Sequence, residues 1–145
     1  RIEMGHIAGS ELDGRTIPYD NSLEGLVSKK KDFIGKRSLD REAFIAEDRQ
    51  KVVGVVPIDK KTSIPEGSHL VKDAMAPIPN PKLGYISASC WSVEYDNPFS
   101  LAILKDGKNM IGQKLFAMSP LKNKTIPVEI VSSHYVDPKG ERVRS

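Results

Sequence analysis

Between residues 51 and 131 the chain breaks into six short runs punctuated by Gly and Pro, a rhythm that constrains the fold more than any other feature. The runs are KVVGVVPI (51–58), SHLVKDA (68–74), LGYISASCW (83–91), FSLAILK (99–105), KLFAM (114–118) and TIPVEIV (125–131). They recur roughly every 10–16 residues, with turn signals at Pro65-Glu66-Gly67 and Asp106-Gly107, which predicts an antiparallel sandwich, jelly roll or small barrel. The first run is apolar throughout, with Val52, Val53, Val55 and Val56, and reads as a buried strand. In the last, Ile126, Val128 and Ile130 share one face and form its core side. Pro127 has no N–H for a ladder, so this strand is expected at an edge or beside a bulge. The expected core comprises Val52, Val53, Val55, Leu101, Ile103, Ile126, Val128 and Ile130.

The character changes upstream of residue 51. RIEMGHIAG (1–9) reads as the last turn of a helix, with Gly5 placed to take the left-handed conformation of a C-cap. ELDGRTIP (11–18) is a turn-rich loop, and 33–47 is coarsely helical, interrupted by Gly35 and Asp40. The expected organisation is α+β: residues 1–50, a six-stranded β-domain over 51–138, and a polar, fraying tail at 139–145. The chain opens at Arg1 without a methionine, in what reads as the end of a helix, and is expected to be a portion of a longer protein.

One stretch concentrates charge. In LVSKKKDFIGKRSL (26–39), Lys29, Lys30 and Lys31 precede Asp32, a residue suited to cap a helix beginning near Phe33. Ammonium groups next to a helix N-terminus would favour a carboxylate or phosphate, while a plain solvated basic corner explains the same residues.

Composition narrows the function classes. The 145 residues carry 22 basic and 19 acidic side chains, net +3, too even a balance to imply nucleic acid by itself, and aromatics at 6% do not interleave with the basic residues. The single cysteine, Cys90, precludes an internal disulfide, fits a reducing cytoplasm, and sits among small strand residues as a structural thiol. His6, His69 and His134 lack metal-ligand spacing, so no metal site is expected. No phosphate-loop or dinucleotide fingerprint occurs, and no run is long and apolar enough to span a bilayer.

The residues also carry a family resemblance. RIEMG, then G-x-E-x-DG-x-T-x-P, then KKKDFIGKRSL resemble the folate-binding part of the glycine cleavage T-protein superfamily. GYISASCWS (84–92) is similar to a Gly-x-x-Ser/Thr-Ser strand of that superfamily's C-terminal barrel. Trp91-Ser92, the wording of KKKDFIGKRSL and the closing HYVDPKGER (134–142) resemble, more narrowly, the C-terminal end of heterotetrameric sarcosine oxidase alpha subunits. The resemblance covers almost the whole chain.

It implies that residues 1–50 end a folate-binding, aminomethyltransferase-like domain, and that 51–138 form the family's C-terminal barrel. It also implies tetrahydrofolate as the one-carbon acceptor, with FAD, FMN and NAD held elsewhere in a cytoplasmic complex with other subunits. The expected function is support of one-carbon transfer from oxidised sarcosine to give 5,10-methylenetetrahydrofolate. The family's catalytic aspartate lies in an earlier part of the fold, so no residue here inherits a catalytic role. Where family members tend to have an arginine near the folate glutamate tail, this chain has Lys30 and Lys31, which offer point charges without a bidentate fork. Tyr19 and Trp91 are candidates for ring contacts, and Tyr135 could close over a cleft. Two other readings stand beside this one: a free-standing aminomethyltransferase, and a non-catalytic RNA-binding module.

Overall fold

The computed structural model describes residues 1–144, of Val143 the backbone alone; Ser145, the last residue of the expected tail, lies outside the described residues. Six strands carry the fold: β1 (Lys51–Pro57), β2 (His69–Val71), β3 (Lys82–Ser92), β4 (Asn97–Leu104), β5 (Lys114–Ser119) and β6 (Lys124–Val131). They close into an antiparallel barrel in the order β1-β4-β3-β2-β5-β6, with β6 pairing back onto β1. Closure removes the free edges that an open sheet would expose.

The closed order corrects the placement of Pro127. Strand β6 is paired on both sides, to β1 and to β5, so it is not an edge. Its pairing with β1 ends at Pro57↔Val128, and Ile58 N–H donates to the Pro127 carbonyl just beyond (3.0 Å). The missing proline donor therefore falls where β1 is leaving the barrel, and the ladder loses little.

The expected core residues are all buried, but they belong to two cores rather than one. Val53, Val55, Ile126, Val128 and Ile130 point into the barrel with Leu70, Ile86, Leu104 and Leu115, and Ile64 from the β1–β2 connection joins them. Val52, Leu101 and Ile103 lie on the outside with Val56 and Phe99. Covering them are Ile2 and Ile7 from the N-terminal segment and Val131 and Tyr135 from the far end of the chain. This double cover explains why every residue of β4 is buried and why β1 is apolar without alternation. Gly54 makes the outer layer possible: a Cβ there would lie 2.3 Å from the Ser132 carbonyl oxygen and 2.7 Å from the Phe99 ring.

Gly5 has the conformation expected of it, with φ +69°. His6 N–H donates to Arg1 O (3.1 Å) and Gly5 N–H to Ile2 O (2.9 Å), the bond pair that commonly ends a helix, but residues 2–5 form a turn here and not the expected last helical turn.

The 33–47 region is less regular than expected. Two four-residue helices, α1 (Lys36–Leu39) and α2 (Glu42–Ile45), replace one interrupted helix. Gly35, at φ +93°, precedes α1 in a left-handed conformation, so the helix starts after it. Asp32 consequently caps nothing: its fully exposed carboxylate instead pairs with Lys36 at 3.2 Å. The tail folds back through a third short helix, α3 (Glu141–Arg144), preceded by Asp137, whose carboxylate accepts from the Glu141 and Arg142 N–H groups. Arg142 in turn holds Glu94 through two hydrogen bonds.

Candidate functional site

The loop of residues 13–24 is fastened to the start of β1 by an ion pair that no local pattern announces. Asp20, only 2% exposed, takes two hydrogen bonds from Arg49, from Nε at 2.8 Å and from Nη2 at 2.5 Å. Its carboxylate also accepts from Ile17 N–H (3.1 Å), and its carbonyl accepts from Val52 N–H (2.7 Å). The Arg49 guanidinium lies over the Phe44 ring at 5.2 Å, and its pKa is raised by the hydrogen bonds to Asp20. The pair is 29 residues apart in sequence and has no periodicity to reveal it.

Two open clefts meet at this arginine. One, of about 380 Å³, is lined by Arg15, Arg49, Gln50, Leu83, Tyr85 and Lys105. The other, of about 360 Å³, is lined by Tyr19, Glu24, Phe44, Ile45, Lys51 and Lys108 among others. Their cations are largely balanced within the chain. Arg15 pairs with Asp13, Lys51 with Glu24, and Lys105 stands 3.7 Å from Asp48. Hydrogen bonds from Arg15 hold the Asp13 carboxyl below the usual carboxylate range. Burial pushes Glu24 up, yet the hydrogen bond and charge of Lys51, a backbone hydrogen bond and the charge of Lys108 together leave that carboxyl lowered.

These walls can orient a polar ligand, but the clefts place no nucleophile beside a general base. No group of three His, Cys, Asp or Glu side chains among the described residues could hold a metal ion. Cys90 packs half-buried on the outer core, where burial and then the charge of Glu3 push its thiol pKa up, away from a reactive thiolate.

The five candidate ligand residues are scattered. Lys30 and Lys31 are exposed on the loop before α1, where Ser28 Oγ accepts from Lys31 N–H and Lys36 Nζ donates to the Lys31 carbonyl. A four-residue helix that begins after Gly35 adds no dipole at these lysines, so the expected combination of charge and helix terminus does not form. Tyr19 lines the second cleft, at the barrel end where β1 begins. Trp91 sits at the opposite end, opposite Pro98, half-exposed and donating from Nε1 to Asp96 (3.2 Å). Tyr135 shares that end: its ring stacks on Phe99 at 4.4 Å and meets Tyr95 at 4.6 Å, while its hydroxyl bonds the Asn97 side chain. Its position is thus set by packing on the outer core. Arg49 and Asp20 are the residues that sequence reasoning missed.

No protein-family model matches the chain. Curated relatives do: the sarcosine oxidase subunit alpha of Rhizobium meliloti (strain 1021) is 37% identical over 99% of this chain, and that of Corynebacterium sp. (strain U-96) is 37% identical over 98%. Its homologues are sarcosine oxidase alpha subunits. The chain spans only 15% of the length of each of these relatives. Among solved structures, the glycine cleavage system aminomethyltransferase T from Bartonella henselae matches with a TM-score of 0.71 and 21% identity. That match covers 95% of this chain and 37% of the other. The fold is therefore that of an aminomethyltransferase T portion, with the closed barrel as its main body. No helix among the described residues is long and apolar enough to cross a membrane.

Proposed function

We propose that this chain is a non-catalytic part of a sarcosine oxidase alpha subunit, and that it supplies one wall of a tetrahydrofolate site in a cytoplasmic multi-subunit complex. The observation that supports this reading is the conjunction of 37% identity along the whole chain with sarcosine oxidase alpha subunits and an aminomethyltransferase T fold. The higher identity to the oxidase subunits than to the aminomethyltransferase, 37% against 21%, favours the oxidase over a free-standing aminomethyltransferase.

The chain's own side chains form open clefts and not an enclosure, so they do not by themselves fit a whole folate. Any site is completed by the rest of the subunit. Within the proposal, folate accepts the one-carbon unit from oxidised sarcosine as 5,10-methylenetetrahydrofolate, while FAD, FMN and NAD sit outside this chain. Lys30 and Lys31 attract the glutamate tail as exposed point charges, and Tyr19 lines the second cleft. Trp91 and Tyr135 serve the other end of the barrel.

The test is folate binding to the longer subunit carrying Lys30→Gln and Lys31→Gln. Exposed charge pairs are individually weak, so the expected loss is a few-fold for polyglutamated folate, smaller for monoglutamate, and reduced by salt. Equal affinity of wild type and variant for both folates would remove the lysines from the site.

A further inference from the structure

A third open cleft, of about 440 Å³, lies where β5 passes into β6. It is separate from the clefts at Arg49. Lys51, two residues beyond that arginine, pairs with Leu104 at one end of β4, whereas Ser89 of the third cleft pairs with Ser100 toward the other. One wall is the turn that contains Glu66, and it is pinned to β3. Ser89 Oγ donates to the Ile64 carbonyl (2.8 Å), Gly67 N–H to the Ile86 carbonyl (2.9 Å), and Ser68 Oγ to the Pro65 carbonyl (2.6 Å). Ile64 itself is buried in the barrel core. This frame fixes the Glu66 carboxylate, whose Oε1 accepts from Ser89 N–H (3.0 Å). The facing wall is the β5–β6 connection, where Asn123, at φ +45°, turns the chain between Lys122 and Lys124.

Neither of these lysines makes a hydrogen bond or ion pair among the described residues, and Glu66 has no ion-pair partner among them. The clefts at Arg49 differ on this point, because Arg15, Lys51 and Lys105 there each stand beside a carboxylate of the chain. In the third cleft, opposite charges line one space without meeting. A lone anion entering it is repelled by Glu66, and a lone cation by the two ammonium groups. A ligand with both a carboxylate and an ammonium group complements both walls at once. We propose that this cleft binds a small zwitterion of the amino-acid type, its ammonium group at Glu66 and its carboxylate at Lys122 and Lys124. The pinned carboxylate sets the ligand's direction, and the flexible lysine stems adjust to its length. The contacts stay hydrated in an open cleft, so binding is weak and selects the charge pair. The proposal goes beyond the oxidase reading and does not rest on folate.

The six strands close within this chain and enclose a core, so the chain is tested as it stands. Backbone amide NMR shifts are followed during titration with glycine, the smallest zwitterion of this class, and with acetate and methylammonium at matched ionic strength. Wild type is compared with Glu66→Gln, which keeps an acceptor for Ser89 N–H, and with Lys122→Gln/Lys124→Gln. The expected result is a saturable shift of the Glu66, Ser89 and Lys124 amides with glycine, and binding of acetate and methylammonium at least about threefold weaker. Each variant is expected to weaken glycine binding by about threefold or more, while Glu66→Gln strengthens acetate binding. No saturable shift with glycine overturns the proposal. Acetate binding to wild type as tightly as glycine also overturns it and makes the cleft a plain anion site. Equal glycine binding by wild type and either variant overturns it as well.

Discussion

Replacing Arg49 by Met isolates the ion pair that fastens the N-terminal loop to the barrel. The substitution leaves the Asp20 carboxylate buried, with only Ile17 N–H donating to it. Removing one partner of a buried pair costs about 3–5 kcal/mol, and the lower figure applies because the Arg49 side chain is 20% exposed and water can enter. A further ~0.5 kcal/mol follows from losing the cation over Phe44. For a chain of this size about 3 kcal/mol lowers the thermal midpoint by roughly 10 °C. Urea unfolding followed by circular dichroism measures the loss, and a double-mutant cycle with Asp20→Asn apportions it. With the buried charge neutralised, Asp20→Asn/Arg49→Met is expected to recover more than half of the loss. A loss below about 0.5 kcal/mol for Arg49→Met, or strict additivity in the cycle, would refute the assignment of this pair as the fastening.

Gly54→Ala is expected to cost about 3 kcal/mol, at the upper end for overpacking, because its Cβ would meet backbone and a buried ring rather than a flexible side chain; an unchanged urea midpoint would contradict it. The Asp59 carboxyl is lowered to about 2 by hydrogen bonds from Thr62 Oγ1–H, Thr62 N–H and Lys61 N–H. Thr62→Ala is therefore expected to raise its NMR titration midpoint toward 3.8. A depressed carboxyl stabilises the fold above its unfolded pKa of 3.8, and that contribution is lost as pH falls toward 2, so the stability lost in Thr62→Ala is present at neutral pH and vanishes as the two proteins converge near pH 2.

Strand content was legible because the barrel segments obey local rules. Alternation in β6 revealed its core face, and the unbroken apolar run of β1 revealed a strand covered on both sides. What covers β1 was not legible, since Ile2, Ile7 and Tyr135 reach it from both ends of the chain, and no short window contains that contact. Pro127 misled for a related reason: a missing donor says where a ladder bond is absent, but not whether the strand lies at an edge or where its neighbour ends. Asp32 misled because cap preference is local and weak, and Gly35 moved the helix start past it. Around the clefts, sequence singled out Tyr19 but neither member of the Asp20–Arg49 pair, because each reads alone as an ordinary surface charge.

The most direct test of the functional account is the fate of the carbon released from sarcosine. In the assembled complex, peroxide, formaldehyde and 5,10-methylenetetrahydrofolate are quantified together at limiting polyglutamated tetrahydrofolate, with wild-type and Lys30→Gln/Lys31→Gln alpha subunits. The account predicts unchanged peroxide and a shift in the variant from methylenetetrahydrofolate to free formaldehyde, which fades as salt or folate is raised. An unchanged product ratio at limiting folate and low salt, with peroxide also unchanged, would contradict it.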